Sequence, residues 1–285
     1  MKGNEAIAEA AIQAGCRHYF GYPITPQTEI AAYMAKRMPK MGGVFLQAES
    51  EIAAINMVYG VSASGRRVMT SSSSPGISLK SEGISYLAGS DLPALIVNVQ
   101  RGGPGLGGIQ PSQADYFQAT RGGGHGDYHL IVLAPASVQE MASLTALGFD
   151  LADQYSMPAM ILADGTIGQM MEPVALETSE AKKVEKPWAL TGTNKTRAHN
   201  IVTSLYLQPE ELERTNIARF QRYAEIEAKE PRFESYLMDD AEICVVAYGI
   251  AARVSRNAVD AAREKGIRAG LIRPITLWPF PKQAM

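Results

Sequence analysis

Cysteine and histidine are scarce in this sequence of 285 residues, which contains two cysteines and four histidines. Cys16 and Cys244 lie far apart along the chain and form no CxxC pair. Iron–sulfur clusters and structural zinc sites need several such ligands at short spacings. The sequence therefore predicts no metal or cluster ligated by this chain, and any redox centre that works with it is expected on another protein.

An excess of charge of one sign is also lacking, because 27 basic and 29 acidic residues leave a formal net charge of −2. Such a balance gives no electrostatic reason to expect nucleic acid or an anionic membrane as a partner. No apolar run reaches the roughly 18 residues of a membrane-spanning helix, and the N-terminal region carries Glu5 and Glu9, unlike a signal peptide. We expect a cytoplasmic protein with small molecules or proteins as ligands.

Alternation of strand-like and helical patterns runs from residue 4 to about residue 165. Predicted helices cover 4–15 with Asn4 as N-cap, a segment starting with Thr25 as N-cap and Pro26, 51–64 and 137–155. Several of the predicted strands are apolar throughout, as strands covered on both faces are. The pattern predicts an α/β fold with a parallel sheet. The predicted strands are 18–22, 44–48, 68–72, 94–100, 130–134 and 159–163.

Periodicity fades between residues 173 and 187, which predicts a first α/β domain over 1–185. Residues 186–236 are expected to form a linker with a solvated helix that starts at Pro209. Residues 237–285 hold a single βαβ unit, with strands at 243–248 and 269–272. Such a unit is too small to close a layered core, so the second domain is expected to be incomplete.

Two segments follow predicted strands at the edge where α/β proteins bind ligands. The turn Gly-Tyr-Pro-Ile-Thr-Pro at 21–26 suits an anion at a helix start, although a purely structural turn remains open. In Gln-Ala-Glu-Ser-Glu at 47–51, the apolar helix start would pull Glu51 toward the buried edge. The alternative is that Glu49 and Glu51 only complement the helix dipole.

Residues 103–108 match GxGxxG directly after a strand. Pro111 and the lack of a long amphipathic helix do not fit the dinucleotide-binding context. Arg101 at the strand's end could hold a carboxylate through two parallel hydrogen bonds, or could form a surface ion pair. The hydroxyl-rich segment 70–76 and the glycine-rich loop around His125 could line a site, and His125 could equally be a simple loop histidine.

Three segments, together and in this order, resemble the α subunits of thiamine diphosphate-dependent 2-oxoacid:ferredoxin oxidoreductases: Tyr-Pro-Ile-Thr-Pro at 22–26, Glu-Ser-Glu-Ile-Ala at 49–53 and Gln-Arg-Gly-Gly-Pro at 100–104. Residues 247–249 and 272–279 resemble the start of that family's transketolase C-terminal-like domain. The resemblance implies a parallel-sheet, pyrimidine-binding thiamine diphosphate fold followed by a partial transketolase C-terminal-like α/β domain.

The resemblance also implies roles for single residues. Glu51 occupies the place of the glutamate that hydrogen-bonds a pyrimidine ring nitrogen of thiamine diphosphate, which makes it the catalytic and cofactor-binding candidate. Pro23 and Ile24 are expected beside the same cofactor. Thr25 and Arg101 match positions near the substrate carboxylate.

The substrate loop departs from many relatives, which have Ser-Thr-Gly-Leu-Pro-Thr where this chain has residues 105–110. Gln110 replaces a hydroxyl residue and is taken as a third substrate-binding candidate. Loss of the hydroxyls, with Leu106 and Ile109 nearby, favours an apolar branched substrate. Oxidative decarboxylation of 2-oxoisovalerate to its acyl-CoA, with electrons passed to ferredoxin, is therefore the expected reaction.

Partners are implied because the Gly-Asp-Gly and Asn signature that holds diphosphate and magnesium is absent here. A β subunit is expected to share the thiamine diphosphate and to hold the magnesium. The iron–sulfur clusters are expected on partner subunits, including γ and ferredoxin-like δ subunits of an oligomer. The alternatives are a catalytically silent scaffold subunit of such a complex and a nicotinamide-dependent dehydrogenase.

Overall fold

The structure, a computed structural model, describes residues 1–176 and 184–285. The boundary region predicted around residues 173–187 lies partly outside these residues. The strands are β1 (His18–Gly21), β2 (Val44–Gln47), β3 (Val68–Ser72), β4 (Leu95–Gln100), β5 (Ile131–Leu133), β6 (Ala159–Asp164), β7 (Phe233–Tyr236), β8 (Ile243–Val246), β9 (Ala269–Pro274) and β10 (Thr276–Trp278).

Helices connect most of these strands. They are α1 (Gly3–Gln13), α2 (Thr28–Arg37), α3 (Glu51–Ala63), α4 (Pro75–Gly89), α5 (Tyr116–Thr120), α6 (Val138–Tyr155), α7 (Gly165–Gln169), α8 (Pro209–Lys229) and α9 (Gly249–Glu264). Short 3₁₀ turns follow α2 at Pro39–Met41 and end the chain at Lys282–Ala284.

A seven-stranded sheet in the order β10-β5-β6-β4-β3-β1-β2 forms the centre of the molecule. The six strands β1 to β6 pair in parallel, and only the edge strand β10 runs antiparallel, against β5. Every residue of β3, β4 and β6 is buried, whereas Val44 and Leu46 on the other edge strand, β2, are exposed. The apolar runs of the inner strands are thus covered on both faces, as the sequence predicted.

Two helical layers provide this cover. α1 packs against α2 and α6, and α3 packs against α4. Since right-handed crossovers place helices on alternate faces when the strand order reverses, the first group lies on one face and the second on the other. Complete burial of a branched or aliphatic side chain such as Ile96 or Val97 contributes about 1.5–3 kcal/mol, so this core dominates the stability.

Two predicted helix starts are wrong. Asn4 lies inside α1, where it is fully buried, and Lys2 is the N-cap. α2 begins at Thr28 and not at Pro26, because Gln27 closes a turn before the helix starts. The start of α6 was predicted correctly: Ser137 caps it by accepting the Glu140 N–H at 3.1 Å.

The C-terminal part forms a second, three-stranded sheet in the order β7-β9-β8, with β7 antiparallel to β9. β10 then returns to the large sheet. α8 is exposed along most of its length, but Tyr223 and Ile226 are buried in the main core. The boundaries at 185 and 236 stay a prediction. The described residues include no helix that is long and apolar enough to cross a membrane.

Candidate active site

Four loops meet at one edge of the large sheet, where the parallel strands β1 to β4 end. They cover residues 22–27, 48–50, 73–74 and 101–115. The carboxyl ends of parallel strands are where α/β proteins bind ligands. The structure therefore brings the segments selected from the sequence to a shared edge.

The loop after β1 is held by buried amide side chains. Gln27 accepts a hydrogen bond from Ser71 Oγ of β3 at 2.5 Å. Asn4 donates through Nδ2 to the Pro26 carbonyl at 2.9 Å. Thr25 remains exposed in this loop. The loop therefore presents a hydroxyl-bearing residue at the ligand edge on a rigid support.

Pro23 and Ile24 belong to the same loop, where Pro23 is exposed and Ile24 is half-buried. The Ile24 carbonyl accepts the Gln27 N–H at 3.2 Å and the Thr28 hydroxyl at 3.3 Å. These bonds close the turn ahead of α2. Contact of Pro23 and Ile24 with a cofactor stays a prediction.

Glu51 is the first residue of α3, yet it is only 6% exposed. Ser50 caps the helix by accepting the Ala53 N–H at 3.1 Å. A Cβ on Gly76 of α4 would lie 2.8 Å from Glu51 Oε1, so glycine at this position avoids a clash with the carboxylate. Interaction with the helix dipole alone fits the exposed Glu49 better than Glu51, because the desolvation cost of burying a carboxylate exceeds the stabilisation by the dipole.

Two buried hydroxyl groups lie unused near this carboxylate. Ser72 Oγ lies 2.1 Å from the same Cβ position on Gly76. Neither Ser72 Oγ nor Ser73 Oγ has a hydrogen-bond partner among the described residues. Since buried hydroxyls are nearly always hydrogen-bonded, orphaned ones beside a carboxylate fit a site that a ligand completes.

Ser74, the next residue, has a φ of 28°, which L-residues rarely adopt. Its N–H donates to Asn98 Oδ1 at 3.0 Å, and its hydroxyl donates to Asp115 Oδ2 at 2.6 Å. Asn98 Nδ2 donates to the same carboxylate oxygen at 2.9 Å. Strained residues of this kind persist where the surroundings fix them, commonly at functional sites. This network holds the junction between β3 and α4.

Lys80 on α4, a residue that sequence reasoning missed, lies beneath this junction. It is fully buried, and its Nζ donates to Thr70 Oγ1 at 2.7 Å and to the Ser71 carbonyl at 3.0 Å. Burial lowers the pKa of Lys80 to about 7, and the charge of Glu51 opposes part of that change. The signal in the sequence is a lysine four residues after Gly76, on the apolar face of the helix.

Arg101 follows β4 and is also buried. Its Nη1 donates to the Thr25 carbonyl at 3.1 Å and its Nη2 to the Leu106 carbonyl at 2.8 Å. Its backbone N–H donates to Ser74 Oγ at 3.0 Å, and its Nε has no partner among the described residues. Arg101 therefore ties three of the loops together instead of forming a surface ion pair, and retains free donors.

The loop after Arg101 folds back on itself. The Gly102 N–H donates to the Gln110 carbonyl at 3.0 Å. Gly107 has a φ of 61°, and a Cβ there would lie 1.7 Å from the Gly102 carbonyl oxygen, so a side chain would break the loop. Gln110 is exposed at the loop's end. Its contact with a substrate stays a prediction.

Two other candidates do not join these loops. The GxGxxG match at 103–108 is followed by more loop and then by α5, which has five residues, so the strand–turn–helix context of dinucleotide binding is absent. His125 is exposed on a loop whose Gly124 lies against the Ser81 carbonyl of α4. His125 therefore fits the interpretation as a simple loop histidine better than that of a residue lining the site.

Family models identify the class of protein that this fold and edge define. Residues 9–237 match the thiamine diphosphate-binding domain of pyruvate flavodoxin/ferredoxin oxidoreductases. Residues 241–285 match core domain II of pyruvate:ferredoxin oxidoreductase. The class is therefore that of thiamine diphosphate-binding oxidoreductase subunits.

The chain belongs to the pyruvate flavodoxin/ferredoxin oxidoreductase family, and within it to the 2-oxoacid:ferredoxin oxidoreductases, as its motifs predicted. It is 55% identical to the ketoisovalerate oxidoreductase subunit VorB of Methanothermobacter thermautotrophicus, over 99% of this chain and 80% of that protein. It is 40% identical to the 2-oxoglutarate synthase subunit KorA of Archaeoglobus fulgidus, over 100% of this chain and 83% of that protein.

A solved structure confirms the predicted fold class. It is the 2-oxoglutarate:ferredoxin oxidoreductase from Magnetococcus marinus with 2-oxoglutarate, coenzyme A and succinyl-CoA bound. The match has a TM-score of 0.85 at 32% identity and covers 99% of this chain. This chain covers 54% of the length of that chain.

Proposed function

We propose that this α subunit acts in oxidative decarboxylation of a branched 2-oxo acid, 2-oxoisovalerate, to its acyl-CoA, and that Glu51 is its catalytic residue. The observation that carries the proposal is the buried Glu51 carboxylate beside orphaned serine hydroxyls at the ligand edge of the sheet. Buried carboxylates in the crevice at such an edge are candidates for catalysis.

Thiamine diphosphate, when bound, supplies the carbon nucleophile that adds to the 2-oxo group and accepts the electrons left by decarboxylation. Glu51 would share a proton with the pyrimidine ring nitrogen, because an incompletely solvated carboxylate accepts such a bond strongly. The buried hydroxyls of Ser72 and Ser73, which have no partner among the described residues, support the fit of a polar ligand at this edge. Pro23 and Ile24 would border the same ring.

Thr25 and Arg101 would bind the substrate carboxylate. The guanidinium of Arg101 uses two of its five N–H groups on the carbonyls of Thr25 and Leu106, and its Nε is among those that remain. A cation already fixed in place loses little entropy on binding an anion. Thr25 would add a hydroxyl hydrogen bond from the neighbouring loop.

The substrate loop supports a branched apolar substrate. Leu106 is 78% exposed and Ile109 is 62% exposed, so both side chains are available to contact an isopropyl group. Gln110 follows them and would border the substrate with an amide. The higher identity to a ketoisovalerate oxidoreductase subunit than to a 2-oxoglutarate synthase subunit supports the same choice.

Partner subunits are part of the proposal. Several apolar side chains on β2, α3 and α4 are exposed, and exposed apolar surface is commonly covered by partners. They are Val44, Leu46, Ile52 and Leu79. A β subunit would share the thiamine diphosphate across this surface and hold the magnesium. Iron–sulfur clusters on γ or δ partners would pass electrons to ferredoxin.

The test is reduction of a viologen dye by the complete complex with 2-oxoisovalerate, 2-oxoglutarate or pyruvate, comparing Glu51→Gln with wild type. Loss of the proton-sharing group should lower kcat at least about 100-fold, the usual scale of acid–base catalysis. Glu49→Gln is the matched control, because Glu49 is exposed in the same turn and makes no contact that the proposal uses.

Full activity of Glu51→Gln would identify the chain as a silent scaffold instead. Among the substrates, 2-oxoisovalerate should give the highest kcat/KM. A preference for 2-oxoglutarate would overturn the branched-substrate proposal and leave the Glu51 proposal intact.

A further inference from the structure

Lys80 has no place in the chemistry proposed so far, yet its burial is costly. An ammonium group removed from water costs several kcal/mol unless its charge is balanced. Its two hydrogen-bond acceptors, Thr70 Oγ1 and the Ser71 carbonyl, are uncharged. A lysine in such surroundings is therefore either paired with a counter-charge or present as the neutral amine.

Glu51 is the candidate counter-charge. Gly76 and Lys80 lie four residues apart on α4 and so share one face of the helix, and helical side chains lean toward the N-terminus. The Lys80 side chain accordingly runs under the turn where Gly76 faces Glu51 Oε1. α3 and α4 pack together along this line. Both ionisable groups are buried on facing helices at the same edge.

Other titratable groups do not take this role. β3 and β4 contribute only uncharged side chains against Lys80. On β1, the Tyr19 hydroxyl bonds Ser71 Oγ at 2.7 Å, and burial raises its pKa, so it stays neutral. Glu82 on α4 itself is exposed. Among the described elements β1, β3, β4, α3 and α4, Glu51 is the one buried acidic side chain.

We propose that Lys80 is the proton partner of Glu51, an inference that rests on the proposed role of Glu51. The Lys80 ammonium balances the ionised Glu51 carboxylate before thiamine diphosphate binds. The proton that Glu51 would share with the ring nitrogen comes from Lys80: one N–H bond of Lys80 breaks, and the pair of Glu51 and the ring nitrogen becomes neutral. Lys80 is then neutral as well and needs no counter-charge, so the exchange stays inside the protein.

Proton uptake during thiamine diphosphate binding tests this proposal. It is measured on the complete, cofactor-depleted complex by calorimetry in two buffers of different ionisation enthalpy. At pH 6.5, wild type should take up less than about half a proton per site, because Lys80 supplies it, and Lys80→Met should take up about one. Thr70→Val removes one hydrogen-bond acceptor of the ammonium and disfavours its charged form, so its proton uptake should lie between those of wild type and Lys80→Met.

Equal proton uptake in wild type and Lys80→Met would overturn the inference and leave Lys80 a structural residue. Should Lys80→Met fail to assemble, the pH profile of proton uptake by wild type is the test. Uptake must rise toward one proton per site between pH 6 and pH 8.5, and a flat profile contradicts the proposal. Glu51→Gln separates the two proposals. If it is inactive while Lys80→Met matches wild type, only the Lys80 inference fails; if it is active, the role of Glu51 fails first.

Discussion

The side chains of Arg67 and Arg101 are largely buried at opposite ends of the large sheet, and their hydrogen-bond donors are paired to different degrees. Arg67 precedes β3 and donates to Asp153 Oδ2, Asp150 Oδ1 and the Ala14 carbonyl, each at 2.7 Å. Arg101 follows β4, bonds only carbonyl groups through its guanidinium and leaves its Nε unpaired. Arg67 thus forms ion pairs with carboxylates, whereas Arg101 bonds carbonyl groups and keeps a donor unpaired.

The wider surroundings repeat the contrast. At the amino end, Lys186 Nζ adds a second contact to Asp153 at 2.5 Å, so each carboxylate oxygen of Asp153 faces a cation. At the carboxyl end, Glu51 and Lys80 are buried, and the hydroxyls of Ser72 and Ser73 have no hydrogen-bond partner among the described residues. Unpaired buried polar groups lower stability, and they persist where a ligand uses them. The amino end therefore stabilises the fold, and the carboxyl end holds the residues to which we assign the chemistry.

The largest expected effect is on the amino end. Arg67→Met should lower the free energy of unfolding by up to about 3–5 kcal/mol, because it removes one of the two cations that pair with the buried carboxylate of Asp153. Denaturant or thermal unfolding measures this loss. Arg66→Met is the matched control, since Arg66 is the exposed neighbour, and should change stability by less than about 0.5 kcal/mol.

Arg67→Met should keep the KM of whatever fraction folds, whereas Arg101→Met should raise KM for the 2-oxo acid. If Arg101→Met destabilised the chain as much as Arg67→Met with no change in KM, the division between the two ends would be wrong.

A second test adds one carbon atom at the carboxyl end. Gly76→Ala places a Cβ 2.8 Å from Glu51 Oε1 and 2.1 Å from Ser72 Oγ, so both groups must move. Displacing a catalytic group by about 1 Å costs up to about 100-fold in rate, and we expect kcat to fall about 10–100-fold. Steady-state kinetics measures it.

Gly60→Ala is the control for Gly76→Ala, because Gly60 lies on α3 with nothing within 4 Å of its Cβ position. It should leave kcat unchanged and slightly stabilise the helix. Unchanged kcat in Gly76→Ala would mean that the Glu51 position is not critical.

The contrast between the two ends also explains what the sequence could reveal. The six parallel strands were predicted within about one residue, because buried apolar runs such as Leu95–Gln100 carry their own signal. β10 was missed, since three residues gain strand geometry only by pairing with β5. The start of α2 was misplaced, because the tertiary bonds of Gln27 and Asn4 override the local Thr-Pro signal.

For the site, resemblance to a family pointed to Glu51, Thr25 and Arg101, and the structure places all three at one edge. Lys80 was missed because a lysine is normally assigned to a solvated face. The burial of Lys80 depends on the packing of α3 and β3 over it, and a local sequence pattern does not reveal such packing. The orphaned serine hydroxyls are likewise a tertiary property. Local signals thus locate the edge, and packing determines how its charges are balanced.

A third prediction concerns pH. The pKa of Lys80 falls from its ordinary 10.5 to about 7 in the folded chain, so between these values the unfolded chain holds a proton that the folded chain lacks. Stability should therefore rise with pH across this window, by at most about 1.4 kcal/mol per pH unit from this group. Unfolding of wild type and Lys80→Met at pH 6.5, 8 and 9.5 tests it, and the variant should lack this slope. Parallel pH profiles would show that Lys80 keeps its proton.

The smallest expected effect compares two helix caps of the same type. Ser50 accepts the Ala53 N–H and Ser137 accepts the Glu140 N–H, both at 3.1 Å. Ser50→Ala and Ser137→Ala should each lower stability by about 1 kcal/mol, since each leaves one N–H at the start of its helix unpaired.

The kinetic outcome should separate these caps. Ser50 precedes Glu51 directly, so fraying there loosens the carboxylate and should reduce kcat several-fold. Ser137 caps α6 outside the four loops and should leave kcat unchanged. Thermal unfolding and dye reduction on the same preparations measure both quantities. Equal kinetics in the two variants would mean that burial against Gly76, and not the helix cap, holds Glu51 in position.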